Sequence, residues 1–153
     1  MNPVNAAGDI RVGPVVVTFR LEAEQTGGGL TMFEFTVPPK ARVPVPHSHD
    51  AFDETVYGLD GVMTWTLDGK AVSVGPGDVL FIPRGHVHGF ENQGDVASRM
   101  LSVITPGILG PTYFRDVADV LNAGGPPDVA RIMEVMRKHG LKPVAPGAPP
   151  AGA

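Results

Sequence analysis

HSHDAFDETVYGLDG (residues 47–61) is the stretch that decides how this chain must be read. His47 and His49 sit two positions apart, and Glu54 follows after four residues. Pro44 and Pro46 precede the pair and hold VPVPHSH (43–49) out of a helix. In an extended segment, positions two apart point to the same side. Both imidazoles therefore present one face, and Glu54 opens the next strand, ETVYGL (54–59). A lone His-x-His pair is a weak signal, because plain solvated loops carry it too.

Working outward, short apolar runs recur between Gly and Pro punctuation, the pattern of many short strands. VVVTFRL (15–21) is rich in β-branched residues. LTMFEFTV (30–37) alternates, with Thr31, Phe33, Phe35 and Val37 as the core face. VMTWTL (62–67) and KAVSV (70–74) flank Asp68-Gly69, a strong two-residue hairpin signal. VLFIP (79–83), VHGFEN (87–92) and SRMLSVIT (98–105) complete the series. After Pro106 the period changes. PTYFRDVADVLN (111–122) and PPDVARIMEVMRKHG (126–140) read as helices, with proline at each entry, Asp128 in the first turn of the second and Gly140 as its C-cap. The stripe Val129, Ile132, Met133, Val135 and Met136 should pack on the body of the protein. His139, in the last turn, is explained by a favourable contact with the helix dipole.

The expected architecture is all-β, a single sandwich, jelly roll or barrel over 15–105, with two C-terminal helices within 106–141. Residues 1–14 form a lead-in, and 142–153 a Pro/Ala/Gly-rich disordered tail.

The 153 residues suffice for one domain. A formal charge of −4 without a Lys/Arg cluster weighs against nucleic acid and anionic membranes as partners. No apolar run is long enough for a membrane span, and the N-terminal MNPVNAAGDIR does not read as a signal peptide. The chain has no cysteine, which excludes disulfides, thiolate catalysis and Cys-type metal sites. A cytoplasmic location is the expectation.

His88 lies on another strand, after the tight PRGH turn in GDVLFIPRGHVHGFEN (77–92). A barrel brings it to one end with His47, His49 and Glu54. Three neutral imidazoles and a carboxylate suit one divalent transition metal: iron, manganese, nickel, cobalt, copper or zinc. Asp53 competes with Glu54 as a ligand, but alternation points it away. Asp50 belongs to the solvated connection. His86, two residues before His88, is a candidate for substrate contact, set against a turn histidine facing water.

These two stretches resemble the two cupin motifs. His47, His49, Glu54 and Gly61 match the first, and Gly77, Pro83, Gly85, His88 and Asn92 match the second. One departure is Ala41, where the family usually has glycine. The resemblance implies a cupin jelly-roll barrel with a metal at its mouth, held by His47, His49, Glu54 and His88. It also implies a homodimer.

The surroundings of the ligands are apolar and aromatic. Val56, Met63, Trp65, Phe81, His86 and Phe90 are the expected substrate-pocket residues. Core packing explains each singly, but together they favour a planar or apolar ligand over a sugar phosphate. The chief basic side chains nearby are Arg84 and Arg99. The chain is similar to small bacterial cupins grouped with quercetin dioxygenases. That likeness implies a small-molecule substrate, a flavonol or related enolizable phenol or dicarbonyl compound, with dioxygen as co-substrate and Glu54 as catalytic proton acceptor. The alternatives are a metal-dependent isomerase or lyase, and a non-catalytic metal-containing binding protein.

Overall fold

A computed structural model describes residues 8–43 and 45–145. Eleven strands and two helices follow one another as β1 (Ile10–Val12), β2 (Val15–Leu21), β3 (Thr31–Val37), β4 (His47–His49), β5 (Asp53–Asp60), β6 (Met63–Leu67), β7 (Lys70–Val74), β8 (Val79–Ile82), β9 (His88–Glu91), β10 (Ser98–Thr105), α1 (Pro111–Leu121), α2 (Val129–Lys138) and β11 (Leu141–Pro143). All strand pairs are antiparallel. One sheet runs β1-β2-β3-β10-β5-β8 and the other β11-β4-β9-β6-β7. The sheets face each other as a jelly roll, the all-β class expected from the strand spacing.

Alternation decides which side chains meet between the sheets. Along β3, Thr31, Phe33, Phe35 and Val37 are buried, as their period of two predicts. Trp65 from β6 and Phe90 from β9 come from the opposite sheet, with ring centroids 6.0 and 5.2 Å from Phe35. The β6–β7 hairpin closes through Asp68 (φ 49°) and Gly69 (φ 81°), two positive values that match the twist of the flanking strands.

Two ends depart from the sequence expectation. Within the expected lead-in, Ile10–Val12 adds an edge strand to the first sheet. The expected tail begins at Lys142, but Lys142 and Pro143 belong to β11, which pairs with β4 in the register Leu141↔His49 and Pro143↔His47. The Val144 amide then donates to the Pro46 carbonyl at 2.9 Å. Ile10–Val12 and Leu141–Pro143 are too short to show a period, so only the partner strand reveals them. The rest of the expected tail, 146–153, lies outside the described residues.

The helices close the barrel. α2 begins as expected, with the Asp128 carboxylate accepting from the Arg131 amide at 3.2 Å; its C-cap is His139, and Gly140 (φ 82°), the expected cap, follows one residue later. Its stripe packs inward, with Ile132 and Met136 fully buried. On α1, Phe114 reaches between Phe19 and Phe33, at centroid distances of 5.7 and 5.0 Å. Across the helix pair, the Asp116 carboxylate accepts from Lys138 at 3.2 Å and meets His139 Nε2 at 2.7 Å. His139 thus has a definite partner beyond the helix dipole. Hydrogen bonds from His139 and then Lys138 hold the Asp116 carboxyl below its ordinary value of 3.8. A depressed carboxylate contributes stability above its unfolded pKa and loses it as pH falls through the lowered folded value. We therefore expect Asp116→Asn to speed amide exchange in α1 and α2 at neutral pH while the barrel keeps its protection. Acid should abolish the difference between variant and parent. Equal exchange at neutral pH would show that the clasp does not hold the helices.

Among the described residues, no helix is long and apolar enough to cross a membrane.

Candidate metal centre

The extended chain after Pro46 becomes β4, and its register aligns His47 with His88 on β9. Glu54 stands at the start of β5, in the other sheet, opposite Ile82 and Ile104. One donor atom each from His49, Glu54 and His88 lie within 4.8 Å of one another, and all three residues are buried. His47 stands beside this trio, its ring centroid 4.7 Å from that of His88 and 6.3 Å from that of His49. The structure therefore brings three of the four expected ligands together and places the fourth at their edge.

Each histidine is anchored through the same ring atom. His47 Nδ1 lies 3.0 Å from the Val45 carbonyl, His49 Nδ1 2.8 Å from that of Phe52, and His88 Nδ1 3.0 Å from that of His86. A carbonyl only accepts, so Nδ1 carries the proton and donates. That assignment leaves Nε2 as the nitrogen each ring can offer to a metal. The Phe52 ring stacks on His49 at 3.9 Å and 16°, further restricting its rotation. Glu54 is held likewise, by the Ser102 hydroxyl donating to Oε1 at 2.7 Å.

Burial, reinforced by the charge of His88, pushes His47 down to about 3, and burial lowers His49 as well. Both rings are neutral at physiological pH, the form that binds metal. Burial acts on His88 in the same sense, but the nearby Glu54 carboxylate outweighs it and the net shift is upward. For Glu54, burial alone raises the pKa. His88, His49 and the Ser102 hydroxyl overcome that and bring it to about 2. His88 Nε2 and Glu54 Oε2 face each other at 3.4 Å. The cluster is thus an ionised carboxylate among imidazoles whose Nδ1 protons are already committed, a donor set that fits a borderline divalent metal.

The centre opens on a cavity of about 450 Å³. His47, His49, Glu54, His88, Trp65 and Phe90 line it, and so do Phe33, Phe35, Tyr113 and Phe114. Of the expected pocket residues, Trp65 and Phe90 therefore face it. Val56 and Met63 are fully buried and belong to the core. Phe81 is a correction. It is 54% exposed, because Leu80 and Ile82 take the inward positions of β8. His86 is another, since it sits in the exposed turn and meets the Asp68 carboxylate. Tyr57 is also exposed. Asp53 is engaged by the Arg84 amide at 3.1 Å, and Asp50 pairs with Lys142, so neither joins the cluster. Arg99 pairs with Asp60 and Glu34 away from the cavity.

Sequence reasoning missed Ser102 and Tyr113. Ser102 had a signal, a hydroxyl on the otherwise apolar inner face of Met100 and Ile104. Tyr113 had none, because nothing in the helical period of α1 says what its inner face covers. Tyr113 is 6% exposed, and burial first, then the Glu54 charge, pushes its phenol well above the ordinary value.

A cupin domain family model matches residues 33–104. Quercetin 2,3-dioxygenase of Bacillus subtilis is 36% identical over 81 residues, which are 53% of this chain and 23% of that protein. The chain spans less than half the length of the curated relatives it matches. Among solved structures, a predicted oxalate decarboxylase from Thermotoga maritima superposes with a TM-score of 0.57 at 29% identity, covering 60% of this chain and 80% of that one. The polyketide cyclase RemF from Streptomyces resistomycificus gives 0.53 at 27%, covering 64% and 74%. The motif residues, the two antiparallel sheets and the buried His-Glu-His cluster agree with these matches, and residues 33–104 of this chain are a small cupin domain.

Proposed function

We propose that the protein is a metal-dependent dioxygenase of the quercetinase kind, acting on a flavonol or a small enolizable phenol or dicarbonyl compound. The observation that carries this reading is an aromatic-walled cavity of about 450 Å³ that opens directly onto the His/Glu cluster. That volume lies in the range of small-molecule sites, roughly 300–1,000 Å³. Its largely apolar and aromatic wall suits a planar apolar body. The distant likeness to quercetin 2,3-dioxygenase supports the same class.

In this reading His47, His49, Glu54 and His88 hold one divalent metal. A metal held there would supply Lewis acidity toward a substrate oxygen. The protein does the rest. Trp65, Phe35 and Phe90 orient the planar body. The apolar wall excludes water from the ionised substrate. Glu54, already a carboxylate, receives the substrate hydroxyl proton, and Ser102 keeps its Oε1 side fixed while Oε2 acts. A homodimer contact fits the exposed apolar group of Tyr57, Val79 and Phe81 on adjacent strands β5 and β8.

Metal-loaded protein should consume dioxygen when given quercetin, measured with an oxygen electrode. Absence of uptake across a panel of phenols and diketones at full metal loading would overturn the oxygenase reading. A second reading is favoured by the likeness to a polyketide cyclase. The same ligands would then act as a Lewis acid in a non-redox isomerisation or cyclisation of an aromatic substrate, and conversion would proceed without dioxygen.

A further inference from the structure

We propose that the Tyr113 hydroxyl is the second polar anchor of the ligand, donating a hydrogen bond to an oxygen of a planar aromatic compound whose other oxygen sits at the metal centre. This rests on the cavity being a small-molecule site, but not on the reaction catalysed there.

Tyr113 comes from α1, beyond residue 104, where the cupin match ends. Its ring is held from two sides, at centroid distances of 5.0 Å from Phe114 and 5.5 Å from His139. Both contacts are near-perpendicular and fix the ring plane. The residue is only 6% exposed, yet it lines the cavity. Its hydroxyl hydrogen-bonds to no described residue. It also differs from Trp65 Nε1 and the Ser98 hydroxyl, which are sealed in the interior without partners. Among the described residues the Tyr113 oxygen is a phenolic donor without a partner, beside apolar lining from Val12, Val17, Phe33, Leu109, Phe114 and Val117, and Lys40 and Arg42 also line the cavity.

A wall that presents a phenol where phenylalanine would fill the same space offers a hydrogen-bond donor to whatever occupies the cavity. Glu54 and Tyr113 line the same cavity. A ligand spanning them meets the metal at one oxygen and a hydrogen-bond donor at another, with apolar walls between. Purely hydrocarbon ligands would leave the donor unpaired.

The test uses cobalt-loaded full-length protein without dioxygen, so that binding is read apart from turnover. Tyr113→Phe should bind quercetin about three- to tenfold more weakly, the effect of one neutral hydrogen bond. Its metal content should be unchanged. Azide, which reaches only the metal, should perturb the cobalt absorption bands at the same concentration in parent and variant. A variant that had merely loosened the lid would shift azide as well, and that result would overturn the proposal. Equal quercetin affinity in parent and variant overturns it too, as does failure of the parent to bind quercetin. Quercetin binding that depends on Tyr113 without dioxygen uptake would sink the oxygenase reading and leave this one standing.

Discussion

Replacing His88 by alanine should empty the metal site, reducing bound metal from about one equivalent to near zero by elemental analysis of the purified protein. His88 sits at the middle of the cluster. It faces the Glu54 carboxylate at 3.4 Å, and its ring lies 4.7 Å from His47 and 4.9 Å from His49. Its loss removes one donor and also leaves the buried Glu54 carboxylate without its principal partner. Truncating one member of a buried charged pair costs on the order of 3–5 kcal/mol. Any metal-dependent activity should disappear with the metal. The same geometry predicts how metal binding responds to pH. The His88 pKa is raised by Glu54, and ligation requires the Nε2 proton to leave. Metal uptake should therefore release a proton, and affinity should fall as pH drops through the raised His88 value. Unaltered metal content in His88→Ala would reject the ligand assignment.

Gly58→Ala should destabilise the fold far more than the same change at Gly77, by at least about 3 kcal/mol in urea unfolding, or prevent recovery of folded protein. A Cβ at Gly58 would stand 1.9 Å from the Gly75 carbonyl oxygen and 2.6 Å from its carbon. Both are backbone atoms and cannot rotate aside. The approach is tight because the GPGD turn docks on this strand. The Gly58 amide donates to the Asp78 carbonyl at 2.9 Å, and the Gly77 amide to the Gly58 carbonyl at 3.0 Å. β5 also shifts register against β10 here, between Arg99 and Met100. At Gly77 the φ is +85°, but a Cβ meets nothing within 4 Å, so the cost of alanine there is conformational alone, about 1–2 kcal/mol. If the two variants unfold at the same urea concentration, the turn does not pack tightly on β5.

The two glycines also show how a sequence signal can be present and incomplete. Glycine inside a strand marks a bulge or a close backbone approach. ETVYGL carries that signal, but the approaching partner, Gly75, lies on the far side of a hairpin. The inward positions of β3 are readable because a period of two is local. The outward turn of Phe81 is also local, since Leu80 and Ile82 alternate with it. It escapes a sequence reading because VLFI is apolar at every position, and such a run does not declare which face is core.

What the sequence alone determined was the strands between residues 15 and 105, the two closing helices and the residues able to ligate a metal. Each depends on spacing over a few residues, and backbone geometry turns that spacing into direction. The tertiary structure decided the rest. It placed Ser102 against Glu54 across 48 positions and paired β11 with the ligand strand β4. It brought Tyr113 and Phe114 over the barrel mouth. These contacts join elements far apart in the chain. Their partners are selected by how the two sheets and the helical cap bury apolar surface together, and no local pattern encodes that choice.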